Sequence, residues 1–161
     1  MIFREARLGH DIAKEIRDRA LDKTYIDLHT DEGETYNRVV VADIPEWTKS
    51  LEELCGPILM LGMGFRLNYK GEFPNHAIHT DEGWGTHAGV LYLSTGGGGT
   101  AFWSSTGPNS VEINRCVEEF GKYCVYKSKQ PHSRWPMDAY GDCPENGRLV
   151  AVCFFNIIEE M

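Results

Sequence analysis

From Ile58 to Asn156 the chain is cut into short β-rich runs by turn-forming residues, and few folds accommodate that texture. The predicted strands are Gly64–Tyr69, Ala77–Asp81, Gly89–Ser94, Thr100–Ser104, Lys122–Tyr126 and Arg148–Asn156. The run Gly96-Gly97-Gly98-Gly99 between two of them is a turn. No helix and no Lys-Ser/Thr follows it, so it is not a phosphate-binding loop. A helix is predicted over 110–120, capped by Asn109 or Ser110 and closed by Gly121, with Ile113, Cys116, Val117 and Phe120 as its apolar stripe.

The residues before Ile58 have a different pattern. Ile12, Ile16 and Ala20 recur at helical spacing opposite Lys14, Glu15, Arg17, Asp18 and Arg19, which predicts a helix over 11–22. The segment Tyr25–Tyr36 reads as loop or edge strand, and Arg38-Val39-Val40-Val41 as a strand. Asp43-Ile44-Pro45 opens a second helix that runs to about Cys55 and is stopped by Gly56-Pro57. Helices followed by many short strands predict a mainly β protein with flanking helices, built on a jelly-roll-like double sheet. The 161 residues form a single domain in this reading, with 1–57 as helical N-terminal support and 58–161 as the jelly-roll core.

Composition narrows the function classes. A net charge of −8 disfavours a nucleic-acid partner, which needs a basic surface. Five cysteines, an odd number with no CxxC pair, argue against a disulfide framework or a thiolate zinc site. The start Met1-Ile2-Phe3-Arg4-Glu5 has no signal-peptide pattern, and no stretch reaches transmembrane length. A soluble, cytoplasmic protein with no membrane partner is expected. No pattern in the chain specifies an oligomeric state.

His79-Thr80-Asp81 places an imidazole and a carboxylate on one face of a strand, because residues i and i+2 point the same way. A second His would complete a facial 2-His-1-carboxylate set that leaves open positions on Fe(II). The same five letters, His-Thr-Asp-Glu-Gly, also occur at His29, but the flanks differ and there is no internal repeat. Only the copy at His79 is followed by an apolar strand, a Gly turn, another strand, then His132 and Arg148. An Arg on the strand after the second His suits a dicarboxylate, since its planar fork binds a carboxylate bidentately. His76 and His87 are read as satisfied or surface histidines.

His79-x-Asp81, His132 and Arg148 resemble the motif of the 2-oxoglutarate- and Fe(II)-dependent oxygenases, particularly the prolyl-hydroxylase-like branch. Asn68-Tyr69-Lys70-Gly71 is similar to that branch's Tyr-x-x-Gly segment. Val90-Leu91-Tyr92-Leu93-Ser94 and Gly98-Gly99-Thr100-Ala101-Phe102 resemble its Tyr-Leu-Asn and Gly-Gly-x-x-x-Phe strands. Pro131-His132-Ser133-Arg134-Trp135-Pro136 and Asn146-Gly147-Arg148-Leu149-Val150 resemble its distal-His and Arg strands. The helix over 110–120 and the spacing from His132 to Arg148 depart from that pattern.

The resemblance implies a double-stranded β-helix (jelly-roll, cupin-like) core. It implies Fe(II) on His79, Asp81 and His132, with 2-oxoglutarate as co-substrate and dioxygen as oxidant. Arg148 would bind the far carboxylate of 2-oxoglutarate, with Tyr69, Tyr92 and Asn68 as further hydrogen-bonding candidates. The implied activity is hydroxylation of a C–H bond in a small molecule or a peptide or protein side chain, with release of succinate and CO2. Trp84, Trp103, Arg134 and Trp135 flank the ligands and are candidates for the substrate mouth, which loops 83–86 and 134–146 would form. Two other readings share the fold: a cupin-like metal protein that needs no Arg148, and a non-catalytic binding module.

Overall fold

The computed structural model describes residues 1–72, 78–136 and 138–161. The elements run β1 (Phe3–Arg7), α1 (His10–Leu21), β2 (Ile26–His29), β3 (Thr35–Val41), α2 (Pro45–Cys55), β4 (Ile58–Asn68), β5 (His87–Tyr92), β6 (Gly99–Trp103), β7 (Glu112–Val117), β8 (Lys122–Lys127), β9 (His132–Trp135) and β10 (Arg148–Ile157), with a final 3-10 turn at Ile158–Glu160. A seven-stranded sheet has the order β1-β8-β5-β10-β4-β3-β2, and a three-stranded sheet the order β7-β6-β9. All named pairings are antiparallel. From β4 onward the chain passes back and forth between the two sheets, which is the double-stranded β-helix, or jelly roll.

The last strand, β10, lies at the centre of the large sheet. It pairs with β4 from Arg148↔Asn68 to Ile157↔Ile58, and with β5 from Val150↔Tyr92 to Phe155↔His87. Alternation along the strands then divides the core in two. Phe65, Leu67, Leu91, Tyr123, Val125, Leu149, Ala151, Cys153 and Phe155 face the helices and pack with Ile16, Ala20, Trp47 and Leu51. Ala88, Val90, Tyr92, Cys124, Tyr126 and Val150 face the small sheet and pack with Phe102 and Cys116. The positions on β4 that point the second way are Arg66 and Asn68, so this face is polar where it reaches the cavity.

Both N-terminal helices form where the pattern places them. Pro45 occupies the first turn of α2 with Ile44 as N-cap, and Gly56 ends it at φ 80, a left-handed conformation that favours glycine. The N-terminal residues also contribute β1, β2 and β3 to the large sheet. The segment Tyr25–Tyr36 contains the edge strand β2 and the turn into β3. The predicted strand Ala77–Asp81 starts at a residue outside the described set, and within the described part only His79 forms a bridge, to His132. No described helix is long and apolar enough to cross a membrane.

The helix predicted over 110–120 is instead the strand β7, paired with β6 from Gly99↔Val117 to Trp103↔Glu112. Its supposed apolar stripe is not one face. Ile113 and Val117 are 48% and 50% exposed, and from Cys116 to Glu118 burial alternates, 1%, 50% and 5% exposed, which is a period of two and not a helical stripe. Pairing with β6 satisfies the backbone, and β-branched residues suit an extended conformation.

Trp47 has no exposed surface, and its ring meets Tyr123 edge-on at 6.0 Å, fastening α2 to the sheet. Trp47→Ala should lower the unfolding free energy by about 3–5 kcal/mol, read as a shift of the urea midpoint.

Candidate metal centre and its arginine-lined cavity

His79 and His132 exchange both backbone hydrogen bonds, each N–H donating to the other's carbonyl at 3.0 Å. That reciprocal pair sets the two rings side by side, with centroids 4.4 Å apart. Asp81, two residues on, donates its N–H to the Ser128 carbonyl at 2.8 Å, and its carboxylate turns back toward both rings. Its Oδ2 lies 3.0 Å from His132 Nε2 and its Oδ1 3.7 Å from His79 Nε2. One donor atom from each of His79, Asp81 and His132 falls within 4.8 Å of the others, a spacing that one metal ion can bridge.

The orientation of His132 is set from behind. Its Nδ1 donates to the Gln130 carbonyl at 2.9 Å, which turns Nε2 toward the cavity and Asp81. Gln130 is itself held, Nε2 donating to the Trp103 carbonyl at 2.9 Å. Burial pushes the Asp81 carboxyl up. The hydrogen bond from His132 and the charges of His132, His79 and Arg66 together outweigh burial, so its pKa lies below the ordinary value. The loop after Asp81 is anchored by Trp84 N–H to the Asp81 carbonyl at 3.1 Å, and by Ser128 Oγ to the Gly85 carbonyl at 2.6 Å.

Beside the triad lies a cavity of about 60 Å³, enough for a few waters. Among the described residues, three arginines line it, Arg66 from β4, Arg134 from β9 and Arg148 from β10, against the single carboxylate of Asp81. Arg148 is 6% exposed; its Nη2 donates to the Gly99 carbonyl at 3.4 Å, and its Nε is buried with no hydrogen-bond partner among the described residues. Burial and the neighbouring charge of Arg148 bring the Arg134 guanidinium down to about 10, opposed by Glu72 and Asp138. Arg66 is also lowered, chiefly by burial. Tyr126 stands over His132 with ring centroids 4.7 Å apart, and burial holds its hydroxyl well above the ordinary range, so it is neutral.

The residues singled out in the sequence are placed as follows. Asn68, Arg134 and Arg148 line the cavity with the three triad residues. Tyr92 does not; its hydroxyl is engaged by Thr100 Oγ1 at 2.8 Å, and it is Thr100 that faces the cavity. Tyr69 lies outside the lining as well, with the Arg38 guanidinium 4.1 Å over its ring. Trp103 donates Nε1 to Ser133 Oγ at 3.0 Å, and Trp135 carries Arg115 over its ring at 3.7 Å; neither lines the cavity. Trp84 sits 63% exposed at a neighbouring apolar trough, tilted against Phe154.

His87 is buried against Phe155 with Nδ1 2.8 Å from Thr86 Oγ1, and His76 lies outside the described residues. His29 is exposed and joins no potential metal cluster among the described residues. Sequence reasoning missed Arg66 and Tyr126. The signal for Arg66 was its spacing: two residues before Asn68 on a strand, it must share Asn68's face.

A buried network fixes the glycine turn next to Arg148. Glu118, 5% exposed, accepts from Tyr140 Oη at 2.6 and 2.7 Å, from Ser94 Oγ at 3.3 Å and from the Gly97 N–H at 3.0 Å. A Cβ at Gly96 would lie 2.1 Å from the Tyr140 ring, so the turn and the ring fit only with glycine there.

The sequence matches no family model and no curated protein. The fold does have solved counterparts. The chain is similar to the non-haem alpha-ketoglutarate-dependent epimerase SnoN from nogalamycin biosynthesis, with TM-score 0.67 and 12% identity over 95% of this chain and 75% of that one. It is similar to a Pseudomonas putida prolyl-4-hydroxylase, with TM-score 0.61 and 17% identity over 96% and 91% of the two chains. It also resembles the viral collagen prolyl hydroxylase of Paramecium bursaria Chlorella virus 1, solved as a 2OG complex, with TM-score 0.65 and 12% identity over 96% of each chain. At these identities the likeness establishes the double-stranded β-helix fold.

The Tyr140 hydroxyl gives the network a pH signature. Burial first, and then the hydrogen bond to Glu118, push it up to about 12. The unfolded chain ionises Tyr near its ordinary value of about 10, so this contribution to stability is complete below that pH and is lost as pH rises toward 12. Tyr140→Phe should cost about 1–3 kcal/mol at neutral pH and make the decline in stability between about pH 10 and 12 shallower, both read by urea unfolding.

Proposed function

We propose that this protein is a 2-oxoglutarate- and Fe(II)-dependent oxygenase whose reaction is hydroxylation of a C–H bond. In this reading His79, Asp81 and His132 hold the iron and Arg148 holds the far carboxylate of 2-oxoglutarate. The observation that carries the proposal is the convergence of the three donor atoms within 4.8 Å, beside a cavity lined by arginines. Solved structures of the same fold whose names include an alpha-ketoglutarate-dependent epimerase and prolyl hydroxylases support it.

The residues fit the group. Two imidazole nitrogens and one carboxylate oxygen are the donor set of a facial triad, which leaves positions open for further ligands. A carboxylate offers the orphaned Nε of Arg148 the acceptor it lacks, in a place where an unanswered buried donor is costly. When bound, iron with 2-oxoglutarate and dioxygen supplies the oxidant for a substrate C–H bond and releases succinate and CO2.

The chain's own contribution is positional and electrostatic. Asp81 partly neutralises the dication, and the Gln130 carbonyl keeps His132 in the tautomer that presents Nε2. Thr100, backed by Tyr92, and Asn68 offer hydrogen bonds near Arg148. Ala88, Val90, Val150 and Val152 give the cavity apolar walls that limit water. The substrate is a small molecule or a peptide or protein side chain. Five free cysteines fit a reducing, cytoplasmic setting.

Anaerobic titration with Fe(II) and 2-oxoglutarate should produce a weak visible charge-transfer band, and admission of air should release succinate. Asp81→Ala should weaken iron retention by about tenfold or more and remove the band. Iron content and turnover both unchanged in that variant would falsify the triad assignment. Arg148→Ala should raise the dissociation constant for 2-oxoglutarate by about 10- to 100-fold, the loss of a charge-assisted pair, while iron content stays the same. An unchanged constant would remove Arg148 from that role.

A further inference from the structure

The cavity holds a cation that this reading does not use. Arg148 is assigned to the co-substrate, and Arg134 is answered by Glu72 and Asp138. Arg66 has Asp81 as the carboxylate acting on it, while Arg148 opposes it. Once Asp81 serves the metal, Arg66 has no anion of its own among the described residues. Arg66 is partly buried, and a guanidinium with reduced access to water and no carboxylate of its own is one whose charge a ligand's carboxylate can answer.

Arg66 also stands at a junction. Together with Val152 and Phe154 it lines both the metal cavity and the adjoining trough of about 330 Å³. The trough is apolar, walled by Leu28, Val39, Val41, Met63, Trp84 and Phe154, and Arg66 is the one charged residue among the described residues that line it. Gly62 and Gly64 precede Arg66 on the same face of β4 and put no side chain into it. The volume suits a small organic ligand, and one apolar channel ending at one cation selects a particular kind.

Resting on the oxygenase reading, we propose that the primary substrate is an organic monocarboxylate with an apolar body. Its carboxylate pairs with Arg66, and its body lies in the trough against Trp84 and Phe154, which brings its C–H bonds beside the metal ligands. A single arginine matches a single negative charge, and its planar fork matches a carboxylate.

The test is calorimetry on the protein loaded with Fe(II) and 2-oxoglutarate under nitrogen. The probes are hexanoate, octanoate, 3-phenylpropanoate and indole-3-acetate, each measured against its own primary amide. At least one acid should bind about tenfold or more tightly than its amide. Arg66→Gln should erase that preference and leave the affinities for the amide and for 2-oxoglutarate within about twofold. Trp84→Ala, at an exposed position, should weaken acid and amide alike.

Absence of any acid-over-amide preference in the wild-type protein overturns the proposal and leaves the metal centre standing. So does an Arg66→Gln protein that keeps the preference. Loss of 2-oxoglutarate affinity in Arg66→Gln, with retention in Arg148→Ala, also overturns it by making Arg66 the co-substrate's arginine. Should Arg66→Gln fold poorly, Arg66→Lys keeps the charge without the fork and should retain only part of the preference; full retention counts against the proposal. If the protein binds neither iron nor 2-oxoglutarate, the oxygenase reading falls. The same acid and amide pairs on the metal-free protein then decide separately whether Arg66 recognises a carboxylate.

Discussion

The structure depends on a strand that is paired on both edges and covered on both faces. β10 is the last strand in the chain, yet it sits between β4 and β5, so the large sheet cannot be completed until the C-terminal residues arrive. Such a strand must be apolar on both faces, and Leu149 to Phe155 is. Its odd-numbered residues close the core under α1 and α2, and its even-numbered residues form the wall of the cavity. Arg148 enters at the start of this strand, carried inward by the same alternation that buries Val150. A charged group is thereby fixed in an apolar wall, beyond the reach of bulk water.

The opposite wall is set by backbone geometry. The two reciprocal hydrogen bonds between His79 and His132 hold residues distant in sequence at one level, and Asp81 then needs only to turn its carboxylate back toward them. Around this centre the charge balance reverses. The chain carries a net charge of −8, but among the described residues its cavity gathers three arginines and one aspartate. Burial lowers Arg66 and Arg134, and each opposes Arg148, so the site is prepared for incoming negative charge. The proposed dicarboxylate co-substrate and the proposed carboxylate substrate are two answers to that one imbalance.

Much of the fold was legible because period-two and period-3.6 patterns are distinct over long enough runs. Both N-terminal helices and the strands β5, β6, β8 and β10 fall within a few residues of their predicted spans. The segment after Pro108 failed because Ile113, Cys116, Val117 and Phe120 satisfy helical spacing while Cys116 and Glu118 satisfy alternation. Only the open edge of β6 decides between the two. The two tyrosines lie outside the cavity lining for another reason. Tyr69 and Tyr92 carry the local motif, but a side chain's direction depends on the strand's exact parity and on competing partners. Arg38 and Thr100 engage them.

The sequence by itself determined that His79, Asp81, His132 and Arg148 occur in an order compatible with a facial triad and an arginine behind it. It also determined that they lie on or beside strands, since spacing and turn residues are local properties. The tertiary structure decided which residues meet. It set His79 against His132, turned Tyr92 behind Thr100, and brought Arg66 from an early strand to the mouth of an apolar trough. Those outcomes follow from strand register and sheet order, which are fixed by long-range pairing and burial and have no counterpart in the spacing of residues along the chain.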